Sequence, residues 1–246
     1  MEKVINILLI GTLLGALIFG ALAYHFRNAE HDSVTEGEYS FPVCDYIDID
    51  LLKLPVTVVP YDGDEIVVAY KNDLPLSIET GDNSLMITES DMFVISLFAG
   101  GEAEFALNLY LPRRTYREIY IYTGNGTVRI GGVDCQKFSA LTEGGDIICE
   151  GMNSLLNITT TSGFISVDFN TVVSDSEILS RNGNVELILP KDSSVAVDFE
   201  TETGHCETNL WGGLIPGSYM FSFNGGDKLV HAVLDKGVLT IKEKEP

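Results

Sequence analysis

Two patterns of apolar and polar positions divide the chain. From Val4 to Tyr24 it reads VINILLIGTLLGALIFGALAY, 21 residues without a charge. A helix rising about 1.5 Å per residue carries such a run across roughly 30 Å, the hydrocarbon thickness of a bilayer. The apolar region of a secretory signal is shorter, about 7–15 residues. Residues 1–27 therefore read as an uncleaved single-pass anchor, in contact with the lipid bilayer through residues 4–24. Ala21-Leu22-Ala23 also satisfies the small-x-small rule for cleavage, which leaves removal of the segment open. Residues 28–42 mix Gly, Ser, Thr and acidic side chains and read as a stalk.

From residue 43 to 246 the pattern changes to short β-branched runs broken by Gly, Asn and Asp, with no convincing 3.6-residue apolar period. The segments IYIYTGNGTVRI, FSALTEGGDIIC, LNITTTSGFISV, ILSRNGNVEL and VDFETETGHCET align on Gly126, Gly145, Gly163, Gly183 and Gly204, a repeat of about twenty residues. Two residues after these glycines stand Val128, Ile147, Ile165, Val185 and Cys206; five before stand Ile121, Ala140, Ile158, Ile178 and Phe199. This is alternation with period two on both sides of a turn, kept in register from repeat to repeat. Three before each glycine comes a hydroxyl: Thr123, Thr142, Thr160, Ser180 and Thr201. Stacking of successive turns at about 4.8 Å would let each hydroxyl bond its neighbour or a turn amide, with the glycine entering a positive-φ turn.

The fold that this pattern predicts is all-β: a single-chain β-solenoid, β-helix-like, with coils of about 20 residues behind one N-terminal transmembrane helix. No coil buries its own apolar face; stacked coils share a continuous core. An antiparallel sandwich also gives strands and turns at short intervals, but does not call for a hydroxyl at one position five times. VHAVLDKGVLTI, with Gly237 at the aligned place and Leu234 instead of the hydroxyl, reads as an atypical capping coil. Residues 43–112 are less regular and read as the first coils and N-terminal cap.

Charge narrows the partners. The chain carries 15 Lys and Arg against 36 Asp and Glu, a formal net charge of −21. Such a surface repels phosphate backbones, whose binding depends on Lys and Arg, so nucleic acid is excluded as a partner. Lys3 and Arg27 flank the anchor equally and leave the positive-inside count tied. The acidic, strand-rich body places the N-terminus in the cytosol and residues 28–246 outside the cell membrane.

From Val56 to Ile241 the sequence resembles the putative-adhesin domain family of bacterial envelope proteins. The resemblance rests on VTVVPYDGDEIVVAY, on Leu111-Pro112 leading into IYIYTGNGTVRIGG, on TTTSGFISV, on NVELILPKDSSVAVDFETETG and on the terminal LDKGVLTIK. It implies a β-solenoid on the cell envelope, often membrane-anchored and without known enzymatic activity. The four cysteines and the insertion around Trp211 depart from that pattern.

Site chemistry is sparse. Cys44, Cys135, Cys149 and Cys206 would allow two disulfides in an oxidising compartment. Cys149 and Cys206, however, occupy inward columns three coils apart, roughly 14 Å at the strand spacing, too far for a bridge. They read as small buried hydrophobes, and Cys44 and Cys135 cannot be placed. There is no C-x-x-C for structural zinc, no G-x-S-x-G and no H-E-x-x-H, and the four histidines are scattered. Asp45, Asp48 and Asp50 along one strand, or Asp62, Asp64 and Glu65 about a turn, offer oxygen ligands for calcium; carboxylates on exposed strands more often serve solubility. An acidic-pair glycosidase is an outside reading. Arg113, Arg114 and Arg117 form the one basic cluster of the body, suited to lipid headgroups, an acidic polymer or protection of a sheet edge. The expectation is a non-enzymatic protein with no catalytic, cofactor or metal residues assigned. Its outward rows, Arg129, Ser166, Glu186 and Glu207 among them, would serve as an adhesin-like binding or scaffolding surface for an envelope polymer or membrane-protein partner. A sensor of envelope stress acting through a membrane partner is the alternative, and a self-assembling filament a third; oligomeric state stays open.

Overall fold

The computed structural model describes residues 35–72, 76–89, 105–209 and 213–244. Strands follow one another as β1 (Thr35–Phe41), β2 (Tyr46–Leu51), β3 (Val56–Tyr61), β4 (Ile66–Asn72), β5 (Leu76–Thr80), β6 (Ser84–Glu89) and β7 (Ala106–Pro112). The repeat region supplies β8 (Tyr116–Thr123), β9 (Val128–Gly131), β10 (Cys135–Thr142), β11 (Ile147–Met152), β12 (Leu155–Thr160), β13 (Ile165–Phe169), β14 (Ser176–Asn182), β15 (Val185–Leu189), β16 (Val195–Thr201) and β17 (His205–Thr208). The chain closes with β18 (Gly213–Pro216), β19 (Tyr219–Phe223), β20 (Lys228–Lys236) and β21 (Val238–Glu243). Among the described residues no helix is long and apolar enough to cross a membrane; the apolar run Val4–Tyr24 lies outside them. The strand β1 falls within the stretch read as a stalk and pairs antiparallel with β4, so the sheet begins there.

Two sheets form, and the chain alternates between them. One runs β1-β4-β7-β3-β9-β11-β13-β15-β21-β17-β18, the other β19-β16-β20-β14-β12-β10-β8-β2-β6-β5. Each glycine-centred turn carries the chain from the second sheet to the first, and a strand in one sheet pairs in parallel with the strand two later. The pair β8/β9 is thus one rung, followed by β10/β11, β12/β13 and β14/β15.

The repeat register is observed residue for residue. Ile121, Ala140, Ile158 and Ile178 stack side by side across β8, β10, β12 and β14, and Val128, Ile147, Ile165 and Val185 across the opposite sheet. All eight are buried, because alternation puts every second side chain between the sheets. The hydroxyl ladder also forms. Thr142 Oγ1 donates to the Gly145 carbonyl at 2.7 Å and lies 2.9 Å from Thr160 Oγ1, while Gly163 N donates to Thr160 Oγ1 at 3.0 Å.

Three expectations are corrected. The coil of Gly237 is no cap: β20 lies between β14 and β16, and β21 between β15 and β17. The last rung in sequence is internal, and the rung β16/β17 stands outside it, covered by the antiparallel strands β19 and β18. The other end mirrors this arrangement. The rung β2/β3 is inside, between β8/β9 and the later β6/β7, which is covered by β5 and β4. Second, the aligned glycines are not positive-φ residues except Gly237, at φ 132°. Each is glycine because a Cβ would come inside 3.0 Å of a carbonyl oxygen on the neighbouring rung: Gly126 on Gly145, Gly145 on Gly163, Gly163 on Gly183, Gly183 on Gly237 and Gly237 on Gly204. Close approach of stacked turns selects the residue. Third, Cys149 and Cys206 are four rungs apart, about 19 Å at roughly 4.8 Å per strand, because the Gly237 rung intervenes.

All four cysteines are free and buried. Burial pushes the thiols of Cys135 and Cys206 up to about 11, that of Cys149 higher still, and that of Cys44 in the same direction. Thiolates carry thiol reactivity. A thiol reagent such as DTNB at pH 8 is therefore expected to label none of these cysteines in the native protein and all four in denaturant. Fast labelling of one thiol without denaturant would contradict the packing.

Candidate binding face

The outward rows are where side chains remain free for a partner. On the first sheet, Arg129, Ile148, Ser166, Glu186, Thr240 and Glu207 do form one row. Its charges are largely answered within the protein: Arg129 pairs with Glu150 at 3.3 Å, and Lys242 pairs with Glu186. The basic cluster is likewise engaged. Arg113 pairs with Asp62 at 2.8 Å, Arg117 with Asp45 at 3.5 Å, and Arg114 with Asp45 while lying over the Tyr116 ring. These arginines sit in and just after the connection from β7 to β8. That connection passes from an outer rung across the inner rung β2/β3, and Asp45 and Asp62 stand at the two ends of that rung. They clasp a crossover, a role different from edge protection or a free basic patch. They also occupy two of the carboxylates considered for calcium.

The second sheet presents a more open surface. Its outward side chains run in rows across β2, β8 and β10. Asp48 stands beside Tyr120 and Asp50 beside Tyr122, with Tyr46 beside Glu118. Tyr46 is 41% exposed, and the rings of Tyr120 and Tyr122 are half-buried among their neighbours. Rows of this kind repeat at about 4.8 Å across strands and about 6.8 Å along them. One exposed and two half-buried phenol rings interleaved with carboxylates make a surface that stacks on apolar ring faces and accepts hydrogen bonds from hydroxyls.

Charge is crowded there. Burial, then Asp50 and Glu118, holds the Asp48 carboxyl above the usual carboxylate range. Burial, then Asp48 and Asp50, raises the Tyr120 phenol. Glu118 is relieved by Lys137 Nζ at 2.6 Å. A carboxyl with a raised pKa in the folded protein destabilises it when ionised, so the penalty is absent at low pH and grows as pH rises above about 3.9, the unfolded value. Asp48→Asn is expected to raise the Tm at pH 7 and to leave it unchanged at pH 3, checked by thermal unfolding monitored by circular dichroism. A lower Tm at pH 7 would show that the carboxylate is instead satisfied.

At the far end of the same sheet, Asp198 and Glu200 of β16 and His231 of β20 bring together three ligating atoms within 4.8 Å of one another. No metal residue is assigned from the sequence, and these three side chains meet only where β16 lies against β20. Their signal was present six and four positions before the aligned glycines, where Asp198 and His231 share one column and Glu200 stands in the other. Asp198 and Glu200 also line a shallow groove of about 570 Å³ with Tyr219, Met220, Ser218 and Asp235.

Comparison with known proteins places this architecture. Residues 118–210 match the family described as Toastrack DUF4097, a narrower stretch than the Val56–Ile241 span of the sequence resemblance. No curated protein sequence matches the chain. Among solved structures, a putative cell adhesion protein from Clostridium sporogenes shares the fold with a TM-score of 0.50 at 14% identity, over 86% of this chain and 100% of that one. A putative adhesin from Bacteroides fragilis aligns over 87% of this chain and 99% of that one, at 11% identity and a TM-score of 0.38. A putative lipid binding protein from Parabacteroides distasonis aligns over 88% and 98%, at 11% identity and a TM-score of 0.35.

Proposed function

We propose, taking residues 118–210 as a Toastrack DUF4097 domain set within a longer β-solenoid, that this chain is a non-enzymatic, adhesin-like binding protein of the cell envelope. An N-terminal helix over residues 4–24 anchors it in the membrane as a single pass, and the solenoid stands outside. The order of strands supports a polarity for this arrangement. β1, nearest the anchor in sequence, lies at one end of an eleven-stranded sheet and β18 at the other. Ten strand spacings of about 4.8 Å set the distal end about 48 Å away.

The carrying observation is the open row of Tyr46, Asp48, Tyr120, Asp50 and Tyr122 on the second sheet. A flat array of phenols and carboxylates suits a hydroxyl-rich envelope polymer better than an anionic one, because the body is strongly acidic. Two measurements test this. Protease treatment of intact cells is expected to digest the body; protection until lysis, in a cell without an outer membrane, would reverse the orientation. Full-length protein is then tested for retention on neutral and acidic cell-wall polysaccharides. Binding to the neutral polymer that falls at least tenfold in Tyr120→Ala/Tyr122→Ala supports the reading. Retention unaffected by that double change, or absent altogether, removes this face as the binding surface.

A further inference from the structure

We infer that Asp198, Glu200 and His231 form a binding site for a divalent transition metal of the Zn²⁺ type at the distal end of the second sheet. The strands β16 and β20 are neighbours in parallel register, with Asp198 directly opposite His231. Alternation along β16 puts Glu200 on the same outward face as Asp198. The imidazole therefore meets two carboxylates from one side, while Glu177 of β14 stands across from it on the other.

Three observations point to an ion rather than to an ordinary ion pair. First, His231 Nε2 is buried and has no hydrogen-bond partner among the described residues, with Glu200 Oε1 3.5 Å away. A buried polar atom left without a bond is costly. Second, two ligands held about 2.1 Å from a tetrahedral ion stand about 3.4 Å apart, close to that separation, and all three donor atoms lie within 4.8 Å. Third, the groove beside Asp198 and Glu200 reaches the same carboxylates from the solvent side, so coordination positions stay open to water or to a partner's oxygen. One imidazole nitrogen with two carboxylate oxygens suits Zn²⁺ and its neighbours better than Ca²⁺, which takes six to eight oxygens. The formal charge of −21 favours approach of any cation.

The site also ties two rungs that are far apart in sequence. His231 belongs to the intercalated rung and both carboxylates to the rung outside it, so an ion there cross-links the end of the stack. Metal bound only to the folded state raises its stability.

Full-length, metal-free protein is titrated with Zn²⁺ by calorimetry and followed by thermal unfolding. The expected result is one strong site per chain and an increase in Tm with saturating Zn²⁺. His231→Gln and Asp198→Asn are expected to weaken Zn²⁺ at least tenfold and to abolish the Tm increase, with metal-free Tm and circular dichroism near those of the parent. Glu177→Gln, outside the three donors, should leave Zn²⁺ affinity within about twofold. Unchanged affinity in His231→Gln, Ca²⁺ binding as tight as Zn²⁺, or no strong site at all would each overturn the assignment. If the single variants do not fold, adding Ca²⁺ or Mg²⁺ in competition against Zn²⁺ on the parent protein decides between imidazole and carboxylate-only binding.

Discussion

A chain ending at Asp227 is expected not to fold. It lacks β20 and β21, and these strands are the filling between β14/β15 and β16/β17 rather than an end piece. Val230, Leu234, Leu239 and Ile241 are fully buried. Burial of one such side chain contributes about 1.5–3 kcal/mol, so their loss removes an amount comparable with the ~5–15 kcal/mol net stability of a typical domain. The deletion also leaves β16 and β17 without their parallel partners. Their ladder hydrogen bonds cannot be recovered by simple collapse, because the connection from β15 to β16 is laid out to skip one rung. Circular dichroism and limited proteolysis of the truncated protein check this against the full chain. A cooperative melt within about 5 °C of the parent would mean that the last rung is dispensable. Deletion of residues 213–223, which removes the covering strands β18 and β19 alone, is the comparison; it should lower the Tm while preserving a cooperative transition.

That outcome separates what the repeat pattern encodes from what it leaves open. Alternation and the hydroxyl position specify which residues face inward and which rungs are equivalent, and Ile121, Ala140, Ile158 and Ile178 stack as the alignment says. Equivalence does not carry adjacency, since any rung can pair with any other that shares its register. The order in space is set by connections. Arg113 and Arg117 clasp the crossover outside β2/β3 through Asp62 and Asp45, and at the other end Lys191, in the crossover outside β20/β21, approaches Glu243 at 3.9 Å. Ion pairs across a crossover leave no periodic trace, so the two swapped rungs were illegible. The one break in the hydroxyl column, Leu234, reads in sequence as the mark of an end coil, yet in the fold it pairs with Ser180 on one side and Thr201 on the other. The outward chemistry was partly legible for the same reason. Tyr120 and Asp48 belong to different stretches of pattern, and only the observed placement of β2 against β8 brings them together.

Gly163→Ala is expected to be as damaging as a single added methyl can be in this column of stacked turns, together with Gly145→Ala and Gly183→Ala. The added Cβ would fall on the Gly145 carbonyl oxygen, well inside 3.0 Å. That oxygen belongs to backbone, so no side chain can swing away to make room. The same turn holds Thr160 Oγ1, which accepts from Gly163 N at 3.0 Å and lies 2.9 Å from Thr142 Oγ1. Wedging the turns apart therefore stretches the hydroxyl ladder as well as the strands Ile147–Met152 and Ile165–Phe169 on either side. Overpacking a rigid interior costs about 1–3 kcal/mol and more where the backbone cannot shift; loss of buried hydrogen bonds adds about 1 kcal/mol each. The expected result is at least 3 kcal/mol in urea unfolding, or failure to fold. Gly213→Ala supplies the contrast, since a Cβ there meets nothing within 4 Å and φ is not positive, and it should stay within about 0.5 kcal/mol of the parent. If both glycines behave alike, close approach of stacked turns is not what selects glycine in this column. Conformational freedom in the turn would then be the reason, even though φ at Gly126, Gly145, Gly163 and Gly183 lies outside the positive region.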